Sequence, residues 1–212
     1  MAEYFTVWVH QIKTPIAAMH LLLQDEDSEN SRELQCELLS IEQYVQMALG
    51  YLRLGGDSTD FVIRKCDLDR VIRQVLRKYA RLFIRKKLRL VYEGVHLTVL
   101  TDEKWLAFVL EQVLSNALKY TPSGSVSIYE ESDGALCIKD TGIGISPEDL
   151  PRVFENGYTG YNGRTDKKST GIGLYLCRRL MGKLGHTIEI SSAPGKGTLV
   201  TMRFGNAELE IE

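Results

Sequence analysis

The sequence predicts an α+β protein: an N-terminal antiparallel helical hairpin, forming a four-helix bundle as a dimer, followed by a two-layer α/β sandwich. Three observations lead to this prediction. Apolar residues recur at alternating spacings of four and three up to Leu52, helix-like and strand-like segments alternate after Asp60, and Gly55-Gly56 interrupts the pattern between them. We therefore expect two domains, residues 1–56 and 57–212.

Two amphipathic segments define the hairpin. Their apolar stripes are Phe5, Val9, Ile12, Ile16, Met19 and Leu23, then Leu34, Leu38, Ile41, Val45, Ala48 and Leu52. This spacing keeps a narrow stripe on one side of a helix, as in coiled coils and bundles. The polar run 25–31 predicts the turn between the helices. Because a lone hairpin covers its stripe poorly, we expect two hairpins to pair as a homodimer.

The second domain is expected to mix strands and helices. The predicted strands are 61–66, 88–93, 96–100, 125–130, 134–140, 186–192 and 197–204, and the predicted helices are 67–86, 102–120 and a segment ending near 184. A Gly-rich stretch covers 141–173. A mixed order of this kind, ending in two adjacent strands, predicts two layers.

Composition limits the classes of function. With 44% apolar and 25% charged residues, the chain has the composition of an ordinary globular protein. Its net charge of −2 argues against a broad nucleic-acid or anionic-membrane surface, so that any phosphate binding must come from local Lys and Arg residues. The four cysteines are widely spaced without a CxxC pair, which favours reduced packing residues over a zinc site.

The first stretch that suggests chemistry is His10-Gln11-Ile12-Lys13-Thr14-Pro15. His10 follows the stripe residue Val9, about 100° further around the helix, so its side chain is expected to project from the side of the bundle. Pro15 removes a backbone hydrogen bond and destabilises the helix by up to about 3 kcal/mol. A proline at this position is explained if a looser turn serves a reactive side chain. Taken alone, a surface histidine beside an incidental proline is the favoured interpretation.

Two further stretches suggest a nucleotide site. Asn116, Lys119 and Tyr120 share one helix face, where an amide oxygen can ligate Mg²⁺ and an ammonium can contact a phosphate. In isolation they could equally be the polar end of a helix. Asp140 ends a predicted strand and could accept a hydrogen bond from an exocyclic amine, and the glycines of Asp140-Thr141-Gly142-Ile143-Gly144 let backbone approach a flat ligand.

A last stretch, Ser169-Thr170-Gly171-Ile172-Gly173-Leu174, opens the final predicted helix, whose N-terminal amides suit a phosphate. The long polar loop 155–168 before it contains Arg164 and Lys168. We expect this loop to be a mobile lid, with a disordered linker as the alternative. The sequence has no Walker A motif and lacks the third glycine of a Rossmann fingerprint.

The order of these stretches is more specific than any one of them. His10 to Pro15, Asn116-x-x-Lys119-Tyr120, Asp140-x-Gly142-x-Gly144, Phe154 and Gly171-x-Gly173 match the H, N, G1, F and G2 boxes of sensor histidine kinases. The chain resembles that family over nearly its whole length. The residues of its H box and of Gly157-Tyr158-Thr159-Gly160 are similar to those of the intramembrane-sensing kinases that work with peptide-antibiotic transporters in Gram-positive bacteria.

The resemblance implies a dimerisation and phosphotransfer hairpin joined to a GHKL-type ATP-binding domain. It implies that His10 is autophosphorylated from ATP, that an aspartate of a response-regulator receiver domain then receives the phosphoryl group, and that Thr14 orients water when the regulator is dephosphorylated. It also implies a homodimer, a peptide-antibiotic ABC transporter as a further partner, no nucleic acid, and a cytoplasmic position below a membrane anchor that lies outside this sequence.

The same resemblance implies the contacts with ATP and Mg²⁺. Asn116 is expected to ligate Mg²⁺, Lys119 to contact a phosphate and Tyr120 to lie near the nucleotide. Asp140 is expected to bind the adenine amine, with Gly142 and Gly144 bordering the adenine pocket. The residues expected at the phosphates are Gly171, Gly173 and Leu174, with Arg164 and Lys168 as further phosphate contacts.

Two positions depart from the family pattern. Gln11 stands where an acidic residue usually follows the phosphoacceptor, and an amide cannot take the imidazole proton, although it can orient the ring by accepting a hydrogen bond. Because an unperturbed histidine is largely neutral at pH 7, we expect activity, slower than in acidic relatives. Gln112 stands one turn before Asn116, where a second asparagine is frequent.

Two other classes of function stay open at this point. One is a nucleotide-binding or dimerisation scaffold without kinase chemistry, which only Gln11 supports. The other is a related ATPase that acts on DNA or on protein clients, which would use a Glu on the helix of Asn116; Glu111 is out of phase with that position. The remaining histidines lack the Lys-Thr-Pro context and are expected to be structural: His20, His96 and His186.

Overall fold

The computed structural model describes residues 2–24, 28–54, 61–160 and 170–205, with side chains described for 11–23, 28–52, 54, 61–160 and 170–205. The chain forms two compact units, Met1–Asp60 and Phe61–Glu212. The predicted linker at 55–60 and part of the predicted turn at 25–27 lie outside the described residues. Among those described, no helix is both long and apolar enough to cross a membrane.

The first unit contains helices α1 (Ala2–Gln24) and α2 (Glu29–Leu54). α2 begins after Ser28, whose Oγ accepts a hydrogen bond from the Ser31 amide at 3.1 Å. Gln35 Nε2 donates to the Leu23 carbonyl at 2.5 Å, and His20 Nε2 lies 3.0 Å from Glu42 Oε1. These contacts place the end of α1 beside the start of α2, so the two helices run antiparallel.

The apolar stripes of the two helices are only partly covered within one chain. Ile16 and Leu38 are buried, as the stripe predicts. Met19, Leu34 and Ile41 belong to the same stripes but are 40%, 56% and 45% exposed. Pairing of two hairpins, which would cover them, stays a prediction.

The second unit is built from seven strands and three helices within its described residues. The strands are β1 (Arg64–Asp67), β2 (Arg89–Tyr92), β3 (Thr98–Thr101), β4 (Ser125–Glu130), β5 (Leu136–Asp140), β6 (His186–Ala193) and β7 (Gly197–Phe204), and the helices are α3 (Leu68–Lys86), α4 (Glu103–Tyr120) and α5 (Gly173–Lys183). A short 3₁₀ helix covers Leu150–Arg152.

Five strands form one sheet in the order β2-β4-β5-β7-β6, in which β2 runs parallel to β4 and the other neighbours are antiparallel. β1 and β3 form a separate antiparallel pair. α4 packs between α3 and α5. On the sheet, α4 contacts β5 and α5 contacts β6. Along β6, buried His186 and Ile188 alternate with exposed Thr187 and Glu189, as expected for a sheet covered on one face. The predicted α+β class is confirmed, and the sheet is mixed.

Two aspartates set the starts of the helices. Asp67 Oδ1 accepts a hydrogen bond from the Arg70 amide at 3.2 Å, so α3 begins at Leu68, one residue later than predicted. Asp102 Oδ1 accepts from the amides of Lys104 and Trp105 at 2.9 and 3.2 Å, and its Oδ2 accepts from Val62 N at 2.9 Å. One buried carboxylate therefore starts α4 and also holds the beginning of this unit.

His186 gives this unit a pH-dependent stability. Its ring is buried, with Nε2 3.0 Å from Thr101 Oγ1 and the Phe204 ring edge-on at 5.2 Å. Burial lowers the pKa of His186, so the folded chain keeps the imidazole neutral where the unfolded chain already binds a proton. Below pH about 6.5, the free energy of unfolding should fall by up to about 1.4 kcal/mol per pH unit from this group, until the folded-state pKa is reached.

Urea unfolding at pH 7.5 and 5.5 checks this prediction. The His186→Gln variant cannot titrate in this range and keeps a group that can hydrogen-bond Thr101. It should lose less stability between the two pH values than the wild type. Equal losses would mean that another group is responsible.

Candidate functional site

The turn after β5 is held between the end of α4 and the turn that joins β6 to β7. Ile143 N donates to the Tyr120 carbonyl at 3.0 Å, and Gly195 N donates to the Ile143 carbonyl at 2.8 Å. This arrangement places the last turn of α4, which carries Asn116 and Lys119, beside the end of β5, where Asp140 lies. Two stretches that are far apart in the sequence therefore meet at one edge of the unit.

The glycines of this turn make room for neighbouring backbone. A Cβ on Gly142 would lie 2.3 Å from the Tyr120 carbonyl oxygen. Gly144 has a φ of +72°, and a Cβ there would lie 2.0 Å from the Ala193 carbonyl oxygen. The sequence suggested that these glycines serve the approach of a ligand, whereas the nearest atoms in the structure belong to the chain itself.

Asp140 is buried, with 6% of its surface exposed. Its Oδ1 accepts hydrogen bonds from Gly142 N at 2.8 Å and Thr198 N at 3.2 Å. Burial raises the pKa of Asp140, while these two amides and the nearby Thr121 hydroxyl act in the opposite direction. Oδ2 accepts no hydrogen bond from the described residues, so it is available to a donor on a ligand.

Thr121 places a second polar group beside Asp140. Its hydroxyl is buried and forms no hydrogen bond of normal geometry with the described residues. A Cβ on Gly142 would lie 2.9 Å from both Thr121 Oγ1 and Asp140 Oδ1. A buried unpaired hydroxyl next to an available carboxylate oxygen suits a flat polar ligand or an ordered water.

The sequence did not single out Thr121 or Thr198. Their roles depend on tertiary contacts, and the only local signal was the Gly195-Lys196-Gly197 turn before Thr198.

The exposed side of α4 near its end carries the predicted phosphate and metal contacts. Asn116, Lys119 and Tyr120 are all half-buried, and Lys119 Nζ lies 5.3 Å from the centre of the Tyr120 ring. An amide oxygen such as that of Asn116 suits Mg²⁺ when phosphates and water supply the remaining ligands. Gln112, one turn earlier, is buried.

The start of α5 offers free backbone amides. Its N-cap residue, Ile172, makes no side-chain hydrogen bond to the first turn, which begins at Gly173 and Leu174. Gly171 has a φ of +68° and packs on Gly157, whose amide donates to the Gly171 carbonyl at 3.1 Å. Such a helix start suits a phosphate.

Three of the predicted site residues cannot be placed by their side chains. Arg164 and Lys168 lie outside the described residues. His10 lies within α1, which continues past Pro15 to Gln24, but its side chain is also outside the described set. The neighbouring side chains of Gln11 and Thr14 are exposed.

Comparison with known proteins agrees with this geometry. Residues 101–208 match the family of histidine kinase-, DNA gyrase B- and HSP90-like ATPases. The chain belongs to this ATPase family. The matched range contains α4, the turn after β5 and the start of α5, which are the elements that form the candidate site.

Relatives extend the likeness to the first unit of the chain. The chain is 38% identical to the sensor histidine kinase YxdK of Bacillus subtilis over 210 residues, which cover 95% of this chain and 64% of YxdK. It is 36% identical to the sensor protein kinase GraS of Staphylococcus aureus over 207 residues (95% and 60%), and 33% identical to the sensor protein BceS of B. subtilis over 201 residues (93% and 60%). The predicted resemblance to sensor histidine kinases is confirmed. The chain spans less than two thirds of the length of these relatives.

Solved structures share the fold of this chain. Full-length ShkA in complex with AMPPNP superposes with a TM-score of 0.65 at 22% identity, covering 96% of this chain and 46% of ShkA. The Acinetobacter baumannii histidine kinase AdeS gives a TM-score of 0.60 at 21% identity, covering 93% of this chain and 98% of that chain.

Lys86 of α3 supports the α4 end of the site. Its Nζ donates to the Leu118 carbonyl and, at 3.4 Å, to the Lys119 carbonyl. Burial lowers the pKa of Lys86.

Lys86→Met should leave the Leu118 and Lys119 carbonyls without this partner, lowering the free energy of unfolding by about 1–2 kcal/mol and weakening ATP binding about three- to tenfold. Calorimetric ATP titration and urea unfolding measure the two effects. Lys86→Arg should restore both the ATP affinity and the stability. Unchanged ATP binding in Lys86→Met would contradict the positioning role.

Proposed function

We propose that this chain is the core of a two-component sensor kinase that transfers the γ-phosphoryl group of ATP to His10 and then passes it to an aspartate of a response-regulator receiver domain. The observation that supports this most is the combination, in one chain, of the His10-Gln11-Ile12-Lys13-Thr14-Pro15 helix with a second unit of the ATPase family. The proposed boundaries of the two domains are 1–56 and 57–212.

For the contacts with ATP and Mg²⁺, we propose those that the resemblance to sensor histidine kinases implies. Asp140 Oδ2 accepts from the adenine amine, Asn116 holds Mg²⁺, and Lys119 and the amides at Gly173 bind phosphate. Tyr120, Gly142, Gly144, Gly171 and Leu174 shape the pocket, and Arg164 and Lys168 are further phosphate ligands. ATP with Mg²⁺ supplies the transferable phosphoryl group, and catalysis by the chain rests on positioning and charge neutralisation.

His10 acts as the nucleophile in this scheme. The lone pair of one ring nitrogen forms the P–N bond as the P–O bond to ADP breaks, and the ring proton leaves to water because Gln11 has no basic group. Gln11 orients the ring by accepting a hydrogen bond from the other nitrogen. Thr14, which is exposed one turn further on, would position water when the regulator is dephosphorylated.

The exposed apolar residues of the first unit favour a homodimer. Large apolar or aromatic side chains of α1 and α2 that are at least 39% exposed in the single chain are Met19, Leu21, Leu22, Leu34, Ile41, Tyr44 and Tyr51. Covering them with the hairpin of a second chain would complete a four-helix bundle.

The relatives suggest the cellular setting. From the resemblance to intramembrane-sensing kinases, and in keeping with the likeness to the sensor proteins GraS and BceS, we propose a membrane anchor outside this sequence, a cytoplasmic position for this core, and association with a peptide-antibiotic transporter.

One alternative, an ATPase that acts on DNA or on client proteins, receives no support from Glu111. Its carboxylate pairs with Lys78 of α3 at 2.9 Å. It is therefore already engaged as an ion-pair partner, away from the role of a base that activates water.

Incubation with γ-labelled ATP and Mg²⁺ tests the proposal. The wild-type chain should acquire label that is lost in acid and kept in base, as expected of a phosphorylated imidazole. A receiver domain added afterwards should remove the label. ATP binding without any label on the chain would favour the scaffold alternative.

A further inference from the structure

The outer face of α3 is strongly basic. Residues 70–92 contain nine Lys and Arg residues and no Asp or Glu. The side of α3 packed in the core carries Leu68, Val71, Ile72, Val75, Leu76, Tyr79 and Phe83. The opposite line, at spacings of four and three, carries Arg70, Gln74, Arg77, Arg81 and Ile84.

Acidic neighbours neutralise only part of this charge. Arg70 pairs with Glu103 at 2.7 Å and Arg73 with Asp69 at 2.6 Å at the beginning of the helix, and Lys78 pairs with Glu111 at 2.9 Å in its middle. By contrast, no hydrogen bond or ion pair joins the exposed side chains of Arg77 or Arg81 to any part of the chain that the structure describes. The uncompensated charge of α3 therefore includes that of Arg77 and Arg81, four residues apart on the exposed side of the helix.

An exposed aliphatic side chain continues this line. Ile84 is 76% exposed, more than any other large apolar residue described in the second unit. Lys87, just past the end of α3, and Arg89, at the start of β2, are exposed as well. Exposed cations on the same stretch of chain as an exposed apolar side chain suit an anionic membrane surface, where the cations meet lipid headgroups and the apolar side chain can leave water.

We propose that the α3 face formed by Arg77, Arg81 and Ile84 binds the surface of an anionic lipid bilayer. The guanidinium groups would contact lipid phosphates, and Ile84 would enter the boundary between headgroups and acyl chains. Nucleic acid offers the same phosphates but no apolar layer for Ile84, so the bilayer is the better fit.

The net charge of the whole chain conceals this surface. Residues 1–60 contain ten acidic and three basic residues, whereas residues 61–212 contain 18 acidic and 23 basic residues. The overall value of −2, which argued against an anionic-membrane surface, is thus the difference between an acidic first unit and a basic second unit.

Co-sedimentation of the full chain with phosphatidylglycerol vesicles tests this proposal, with phosphatidylcholine vesicles as the neutral reference. Arg77→Gln/Arg81→Gln should reduce the partition coefficient about 25-fold, at about fivefold for each cation removed. Lys65→Gln/Arg203→Gln removes two exposed cations elsewhere on the same unit and should change it much less. Ile84→Ser should weaken binding and Ile84→Trp should strengthen it, which charge alone does not predict.

The proposal is overturned if the wild type does not sediment with phosphatidylglycerol, or if Arg77→Gln/Arg81→Gln sediments equally well. Binding of duplex DNA that depends on both arginines, without vesicle binding, would identify a nucleic-acid surface instead. Labelling by ATP without vesicles should be unchanged in Arg77→Gln/Arg81→Gln, so a failure here is distinguishable from a failure of the kinase proposal.

Discussion

Alanine in place of His10 is expected to abolish phosphorylation of the chain while leaving its ATP affinity unchanged. The methyl group of alanine has no lone pair with which to form a P–N bond, so the acid-labile label should fall by at least ~100-fold. The proposed nucleotide contacts all belong to the second unit, which begins at Phe61. Labelling with γ-labelled ATP, together with calorimetric ATP titration, measures the two properties separately.

His20→Ala is the matched control for this experiment. It removes a histidine from the same helix, one that lies 3.0 Å from Glu42. Its label should stay near the wild-type level. Acid-labile label on the His10→Ala chain, or its loss from His20→Ala alone, would contradict the assignment of His10 as phosphoacceptor.

Asparagine in place of Asp140 is expected to separate binding from stability. The variant loses the charged acceptor proposed for the adenine amine, so the dissociation constant for ATP should rise about 10- to 100-fold. An amide oxygen can still accept from the Gly142 and Thr198 amides. Because burial raises the pKa of Asp140, ionisation of this group costs the wild type stability as pH rises through the folded-state value. At pH 7 the variant should therefore be as stable as the wild type, or more so.

Calorimetric ATP titration and urea unfolding at pH 7 test both halves of this expectation. Asp133→Asn is the control, because Asp133 lies in the turn between β4 and β5 and pairs with Arg203 at 3.2 Å. It should bind ATP normally. A large loss of stability in Asp140→Asn would point to a structural carboxylate, and unchanged affinity would remove Asp140 from the nucleotide site.

The helices and strands could be predicted closely from the sequence because their signals are local. α4 ends at Tyr120, and β4 (Ser125–Glu130) and β7 (Gly197–Phe204) have their predicted bounds; the other strands and helices of the second unit are in error by at most three residues at an end. The sheet order could not be predicted in this way. β1 leaves the main sheet to pair with β3, and β2 pairs in parallel with β4, so both choices depend on contacts between residues that are far apart in the sequence.

The candidate site shows the same division. The order of short motifs pointed to Asp140 and to the last turn of α4, and the fold brings these together. Thr121, Thr198 and Lys86 were missed because each acts through a neighbour supplied by another element. The sequence singled out Gly142 and Gly144 because glycine lets the backbone approach a ligand. In the structure, a Cβ at either position would first meet a carbonyl oxygen of the chain itself.

The two hydrogen-bonding roles of the Asp102 carboxylate decide where the second unit can be joined to a foreign phosphoacceptor hairpin. A fusion joint placed before Phe61 keeps two contacts. The Val62 amide still donates a hydrogen bond to Asp102 Oδ2, and the Phe61 ring still lies edge-on to Trp105 at a centroid distance of 6.4 Å. A joint placed a few residues later replaces Phe61 and Val62, so that the contact with Trp105 is lost and a foreign segment must position the amide that donates to the buried Asp102 carboxylate. Chimaeras that join this second unit to a foreign hairpin should therefore have their joint within residues 55–60, and the foreign hairpin must supply its own phosphoacceptor histidine in place of His10.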